Sequence, residues 1–113
     1  MRNIEFGKFG EEKAVEFLKK NGYKIIERNY RTKIGEIDII ARKKREIIFI
    51  EVKTRSSDDF GMPEESINER KLRKIEKVAQ IYLKNKKLKI PFRFEILSIL
   101  TKDNDFKIEI IPI

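Results

Sequence analysis

Asp38, Glu51 and Lys53 are two carboxylates and an ammonium carried on short apolar segments, Gly35-Glu36-Ile37-Asp38-Ile39-Ile40 and Ile47-Ile48-Phe49-Ile50-Glu51-Val52-Lys53. A hard divalent cation such as Mg2+ takes oxygen ligands, commonly one or two carboxylates completed by waters and phosphate oxygens. Asp38 and Glu51 could supply those carboxylates. The ion would polarise a phosphoryl oxygen and lower the pKa of a bound water, while Lys53 would orient that water or neutralise the developing charge. Phosphodiester hydrolysis is the chemistry such a trio suits.

The trio needs elements that bring it together. Alternation along a strand turns Ile48, Ile50 and Val52 to one side and Ile47, Phe49, Glu51 and Lys53 to the other, so a largely apolar face ends in two charges. The intervening Lys43-Lys44-Arg45-Glu46 would return the chain as a hairpin and set Asp38 alongside Glu51. Phe6, Phe9, Gly10, Ala14, Phe17 and Leu18 recur at helical spacing and Asn21-Gly22 is a stop, which predicts a helix from near Ile4 to Lys20. Glu11 falls near the buried edge of that helix. Strands are expected over Tyr23 to Tyr30, Glu36 to Arg42 and Ile47 to Lys53, followed by a polar loop over Ser56 to Pro63. Ser66 and Glu69 have the spacing of a capping box, and Ile67, Lys71, Ile75, Val78, Ala79 and Tyr82 continue a second helix to about Asn85. Strands over Phe92 to Leu100 and Phe106 to Ile111 complete the chain. One domain over residues 1–113 results, an α/β arrangement of order αβββαββ with a mixed five-stranded sheet flanked by helices.

Asp38, a twelve-residue spacer and then Glu51-Val52-Lys53 resembles the PD-(D/E)xK nucleases, which include restriction endonucleases and archaeal Holliday-junction resolvases. Gly7-Lys8-Phe9-Gly10-Glu11, Gly22-Tyr23, Arg28-Asn29-Tyr30-Arg31, Phe49 to Arg55, Phe60-Gly61, Lys71 and Arg93-Phe94-Glu95 narrow the resemblance to the YraN-like family of small endonuclease-like proteins. Glu95 stands where that family usually has aspartate. The resemblance implies a restriction-endonuclease-like fold and a Mg2+- or Mn2+-dependent endonuclease, with DNA, including branched or structured DNA, as the favoured substrate. Asp38 and Glu51 would be metal ligands, the Val52 carbonyl a further one, Lys53 the group beside the attacking water and Glu11 the helix glutamate that completes the acidic cluster.

Each residue also has a plainer role. Glu51 and Lys53 could be a solvated strand face, Glu36, on the same face as Asp38, either an extra ligand or a partner for a nearby arginine, and Glu11 a partner for Lys8 or for backbone. Arg55 on the β-strand and Arg70, Lys71 and Lys74 on the second helix are the candidates for holding phosphates. From Glu64 to Ile90 nine Lys/Arg stand against four Glu, so much of the formal net charge of +8 lies on this segment. Such a balance favours polyanionic partners. With no cysteine and no histidine, zinc sites of the usual kind, disulfides, thiol nucleophiles and histidine acid-base catalysis are excluded. No apolar run is long enough to span a bilayer, so no membrane partner and a cytoplasmic location are expected. A homodimer would suit an enzyme that must address two strands. The alternatives are a non-catalytic nucleic-acid-binding module on a nuclease fold, or an adaptor whose basic helix docks an acidic protein.

Overall fold

A computed structural model of the chain describes residues 3–56 and 68–113, with the backbone alone for residues 3–6. The elements are α1 (Asn3–Lys20), β1 (Lys24–Arg31), β2 (Glu36–Lys43), β3 (Glu46–Ser56), α2 (Glu69–Asn85), β4 (Phe92–Lys102) and β5 (Asp105–Pro112). This is the expected αβββαββ order. The five strands form one mixed sheet in the order β1-β2-β3-β4-β5. Pairing is antiparallel except between β3 and β4, which run parallel because the chain returns through the segment containing α2.

Each helix covers one face of the sheet. Ala14, Val15 and Leu18 of α1 pack on Ile39, Ala41, Ile48, Ile50, Leu97 and Ile99. Ile75, Val78, Ala79, Tyr82 and Leu83 of α2 pack on Ile37, Ile40, Ile47 and Phe49. Burying one large aliphatic or aromatic side chain contributes about 1.5–3 kcal/mol, against about 0–1 kcal/mol for an exposed ion pair. The apolar faces therefore hold the helices, and the surface charges are left available for other work.

The helix ends are set locally. Gly22 adopts a φ of +85° after α1, and the Tyr23 N–H donates to the Leu18 carbonyl at 2.9 Å, which ends the helix where Asn21-Gly22 predicts. Asn68 caps α2, its Oδ1 accepting from the Lys71 N–H at 2.8 Å. The capping-box expectation at Ser66 is corrected accordingly: α2 begins at Glu69, directly after Asn68, so Glu69 is its first residue rather than its third. Of the loop expected over Ser56 to Pro63, Ser56 is instead the last residue of β3, and residues 57–63, like Ser66, lie outside the described residues.

Two contacts fix how α1 and the sheet meet. Gly10 sits so close to β3 that an added Cβ would lie 1.8 Å from Thr54 Oγ1 and 3.0 Å from Thr54 Cβ. Gly10→Ala should therefore push α1 off the strand and cost about 1–3 kcal/mol in urea unfolding. Gly7→Ala, whose Cβ would meet nothing within 4 Å, should leave stability unchanged or raise it. Equal effects of the two substitutions would refute the contact.

Glu95, 4% exposed, accepts from the Tyr23 hydroxyl at 2.9 Å and from Arg93 Nε at 3.3 Å, and Arg93 also donates to Glu46. A buried carboxylate with its acceptor oxygens satisfied is a structural tie. Glu95 therefore belongs to the packing of β4 against the end of α1.

Candidate active site

Strict alternation fails in β2 at the residue that matters most. Ile37 and Ile40 are three residues apart, yet both belong to the α2-side core, while Ile39 belongs to the α1 side. Asp38 lies inside that irregularity. The β2–β3 ladder runs from Lys43↔Glu46 only as far as Ile39↔Ile50, so the two strands part beyond this point. Asp38 enters the fork and its Oδ2 accepts the Val52 N–H at 2.8 Å. A side chain thus takes a donor that a continuing antiparallel ladder would have given to backbone.

Burial pushes the Asp38 carboxyl up to about 7, helped by the charge of Glu51, by a side-chain hydrogen bond with Glu51 and by the charge of Glu11, and opposed by the Val52 N–H. Glu51 and Asp38 therefore meet as expected. Two acids held this close repel one another when both are ionised, and a cation between them relieves the repulsion. Oxygen donors without nitrogen or sulfur fit a hard ion such as Mg2+ or Mn2+. Among the described residues no group of three acids gathers tightly enough to hold an ion alone. Waters or substrate oxygens would have to complete the shell.

Asp38 and Glu36 border two adjoining hollows. The α1-side hollow, about 470 Å³, is lined by Gly7, Glu11, Asn29, Glu36, Asp38, Val52, Lys53 and Thr54. The α2-side hollow, about 320 Å³, is lined by Gly35, Glu36, Asp38, Glu51, Lys71, Lys74 and Ile75. Glu51 and Lys53 thus do not line the same hollow, although alternation puts them on one face. Beyond Ile50 the strand has lost β2 as a neighbour but stays paired with β4 through Ser56, so its residues there border the gap that β2 leaves. A larger hollow of about 690 Å³, bounded by residues including Ile34, Ile81, Phe92 and Phe94, is mainly apolar and contains neither Asp38 nor Glu51. Arg73, Glu76 and Lys77 also border this larger hollow, but the paired acids lie only at the smaller ones.

The remaining candidates divide. Glu11 reaches the α1-side hollow, but its Oε1 accepts from Asn29 Nδ2 at 2.8 Å and lies 3.5 Å from Arg28 Nη2. Glu36 is paired with Arg31 at 2.9 Å. Lys71 Nζ lies 3.4 Å from Glu51 Oε2. Arg55, part-buried on β3, and Arg70, exposed on α2, line neither hollow.

Asn29 is the site residue that sequence reasoning missed. It has a φ of 53°, in the left-handed region, and falls between the register pairs Arg28↔Ile39 and Tyr30↔Ile37, abreast of Asp38. Asparagine tolerates that conformation better than most residues with a side chain. Its position inside a strand-like run was the available signal.

The fold and this acidic fork define an α/β domain with a candidate site built on paired carboxylates. Residues 10–99 match the uncharacterised protein family UPF0102, and the chain belongs to that family. It is 54% identical over 101 residues to a UPF0102 protein of Dictyoglomus turgidum, covering 88% of this chain and 86% of that one. A UPF0102 protein of Thermodesulfovibrio yellowstonii is 49% identical over 109 residues, with 96% and 94% covered. One from Syntrophomonas wolfei is 46% identical over 107 residues, with 94% and 93% covered. No helix among the described residues is long and apolar enough to cross a membrane.

Proposed function

We propose that this protein is a metal-dependent nucleic-acid phosphodiesterase, with DNA the favoured substrate. The convergence of Asp38 and Glu51 in the β2–β3 fork carries this reading. The pair would hold Mg2+ or Mn2+, the Val52 carbonyl offers a further oxygen, and the ion would activate water and polarise the phosphoryl group. Lys53 would act beside the attacking water, Glu11 would assist the metal's waters, and Lys71, Lys74, Arg70 and Arg55 would hold phosphates.

A cleavage panel of single-stranded, duplex and branched DNA and RNA, with Mg2+ or Mn2+, tests the proposal. Metal-dependent cutting of at least one substrate is expected. Binding should weaken with salt, log affinity falling by roughly 0.9 per phosphate contact per decade on duplex DNA. A salt-insensitive affinity, or none at low salt, would count against the basic surface as a phosphate site.

The rival reading, a binding module without chemistry, draws on the diversion of Glu11 to Asn29 and Arg28. Intact binding with no cleavage across the panel would favour it. The acidic fork weighs on the other side, because a pure phosphate binder gains nothing from paired carboxylates facing its ligand.

A further inference from the structure

Among the described residues, the ammonium that pairs with the acidic fork comes from α2. Lys53 occupies the strand position that would neutralise Glu51, but the ion pair is made by Lys71 across the α2-side hollow, at 3.4 Å from Glu51 Oε2. Asn68 fixes the first turn of α2 through the Lys71 N–H, so the stem of this side chain starts from a held point. The Lys71 side chain is 48% exposed and that of Glu51 15% exposed, so the ammonium can leave into solvent far more easily than the carboxylate. A divalent ion at Asp38 and Glu51 would compete directly for the same oxygens. It carries twice the charge of the ammonium and would take oxygens of both carboxylates as ligands.

We propose that Lys71 is the resident counter-cation of the Asp38–Glu51 pair in the metal-free protein, and that an incoming divalent ion displaces it towards the phosphate of a bound nucleic acid. Metal and nucleic acid then bind with positive coupling through one side chain, each raising the affinity of the other. The inference rests on the metal-dependent reading above.

The test is calorimetric Mn2+ titration of the full chain, followed by binding of labelled duplex and four-way-junction DNA in EDTA and in Ca2+. Removing a competing ammonium should tighten Mn2+ binding, so Lys71→Met is expected to lower the Mn2+ Kd by about three- to tenfold. Lys71→Gln should do the same. Lys84→Met, an equal change of charge in the last turn of α2, should leave the Mn2+ Kd unaltered. The gain in DNA affinity on adding Ca2+ should be smaller in Lys71→Met than in the wild type. An unchanged or weaker Mn2+ affinity in both Lys71 variants, with wild-type binding still dependent on Asp38, overturns the exchange and leaves the metal site standing. Wild-type protein that binds no Mn2+ overturns both.

Discussion

Asp38→Asn should lose metal-dependent cleavage by about a hundredfold or more while binding nucleic acid at least as tightly as the wild type in EDTA. The substitution removes a metal ligand and a negative charge facing phosphate but keeps an acceptor for the Val52 N–H. Binding and cutting therefore move in opposite directions. The gain in binding should depend on pH, because the Asp38 carboxyl is pushed up to about 7. Near pH 6 the wild-type carboxyl is mostly protonated and the substitution changes little; near pH 8 it is mostly charged and the gain is largest. Lys53→Met should also lose cleavage, but with equal or weaker binding. Paired gel-shift and cleavage assays at the two pH values read all of this. Undiminished cleavage in both variants would move the activity to another site or to a contaminant.

The second large effect is on stability. An aspartate carboxyl ordinarily titrates near 3.8 and burial pushes that of Asp38 up to about 7, so between those values the folded state holds a proton that the unfolded state releases. By linkage, its contribution to stability is fully present below about pH 4 and is lost as pH rises through about 7. The loss should be on the order of 2–4 kcal/mol in metal-free protein. Asp38→Asn cannot titrate, so the stability difference between it and the wild type should widen in its favour from pH 4 to pH 8. Urea melts in EDTA measure that difference, in which other titrating groups largely cancel. Parallel curves would show that Asp38 is not perturbed. Mn2+ should return stability to the wild type above pH 7, since a ligand bound only by the folded state stabilises it.

Much of the fold was legible because it is written in local periodicity. Ile47 to Val52 sort between two cores as alternation requires, and the apolar stripe of α2 buries Ile75, Val78, Ala79 and Tyr82. The meeting of Asp38 with Glu51 was legible for the same reason, as two strands joined by a short turn. What sequence could not supply is what depends on the departure from regularity. The fork needs Ile37 and Ile40 on one side, against the period of two, and nothing in a run of isoleucines marks where that period breaks. That Lys53 and Glu51 border different hollows, and that Lys71 pairs with Glu51 twenty residues earlier, depend on how the elements pack in space. The cap of α2 is ambiguous for a different reason: Ser66 and Glu69 have capping-box spacing, yet Asn68 between them is as strong a cap as serine and is the one used.

The parallel pairing of β3 with β4 has a consequence for the order in which the chain assembles. The hairpins β1–β2–β3 and β4–β5 join neighbours in sequence, whereas the β3–β4 pair begins by joining Ile47 to Phe92 and must close a long crossover. Contacts across long loops bear a larger entropic cost before any packing rewards them, and they slow folding. The two acids of the fork lie on the early hairpin, and Lys71 lies on the late crossover. During folding the carboxylates can thus be drawn together before the Lys71 ammonium arrives, so the repulsion between them is at first relieved only by protons or by ions from solution.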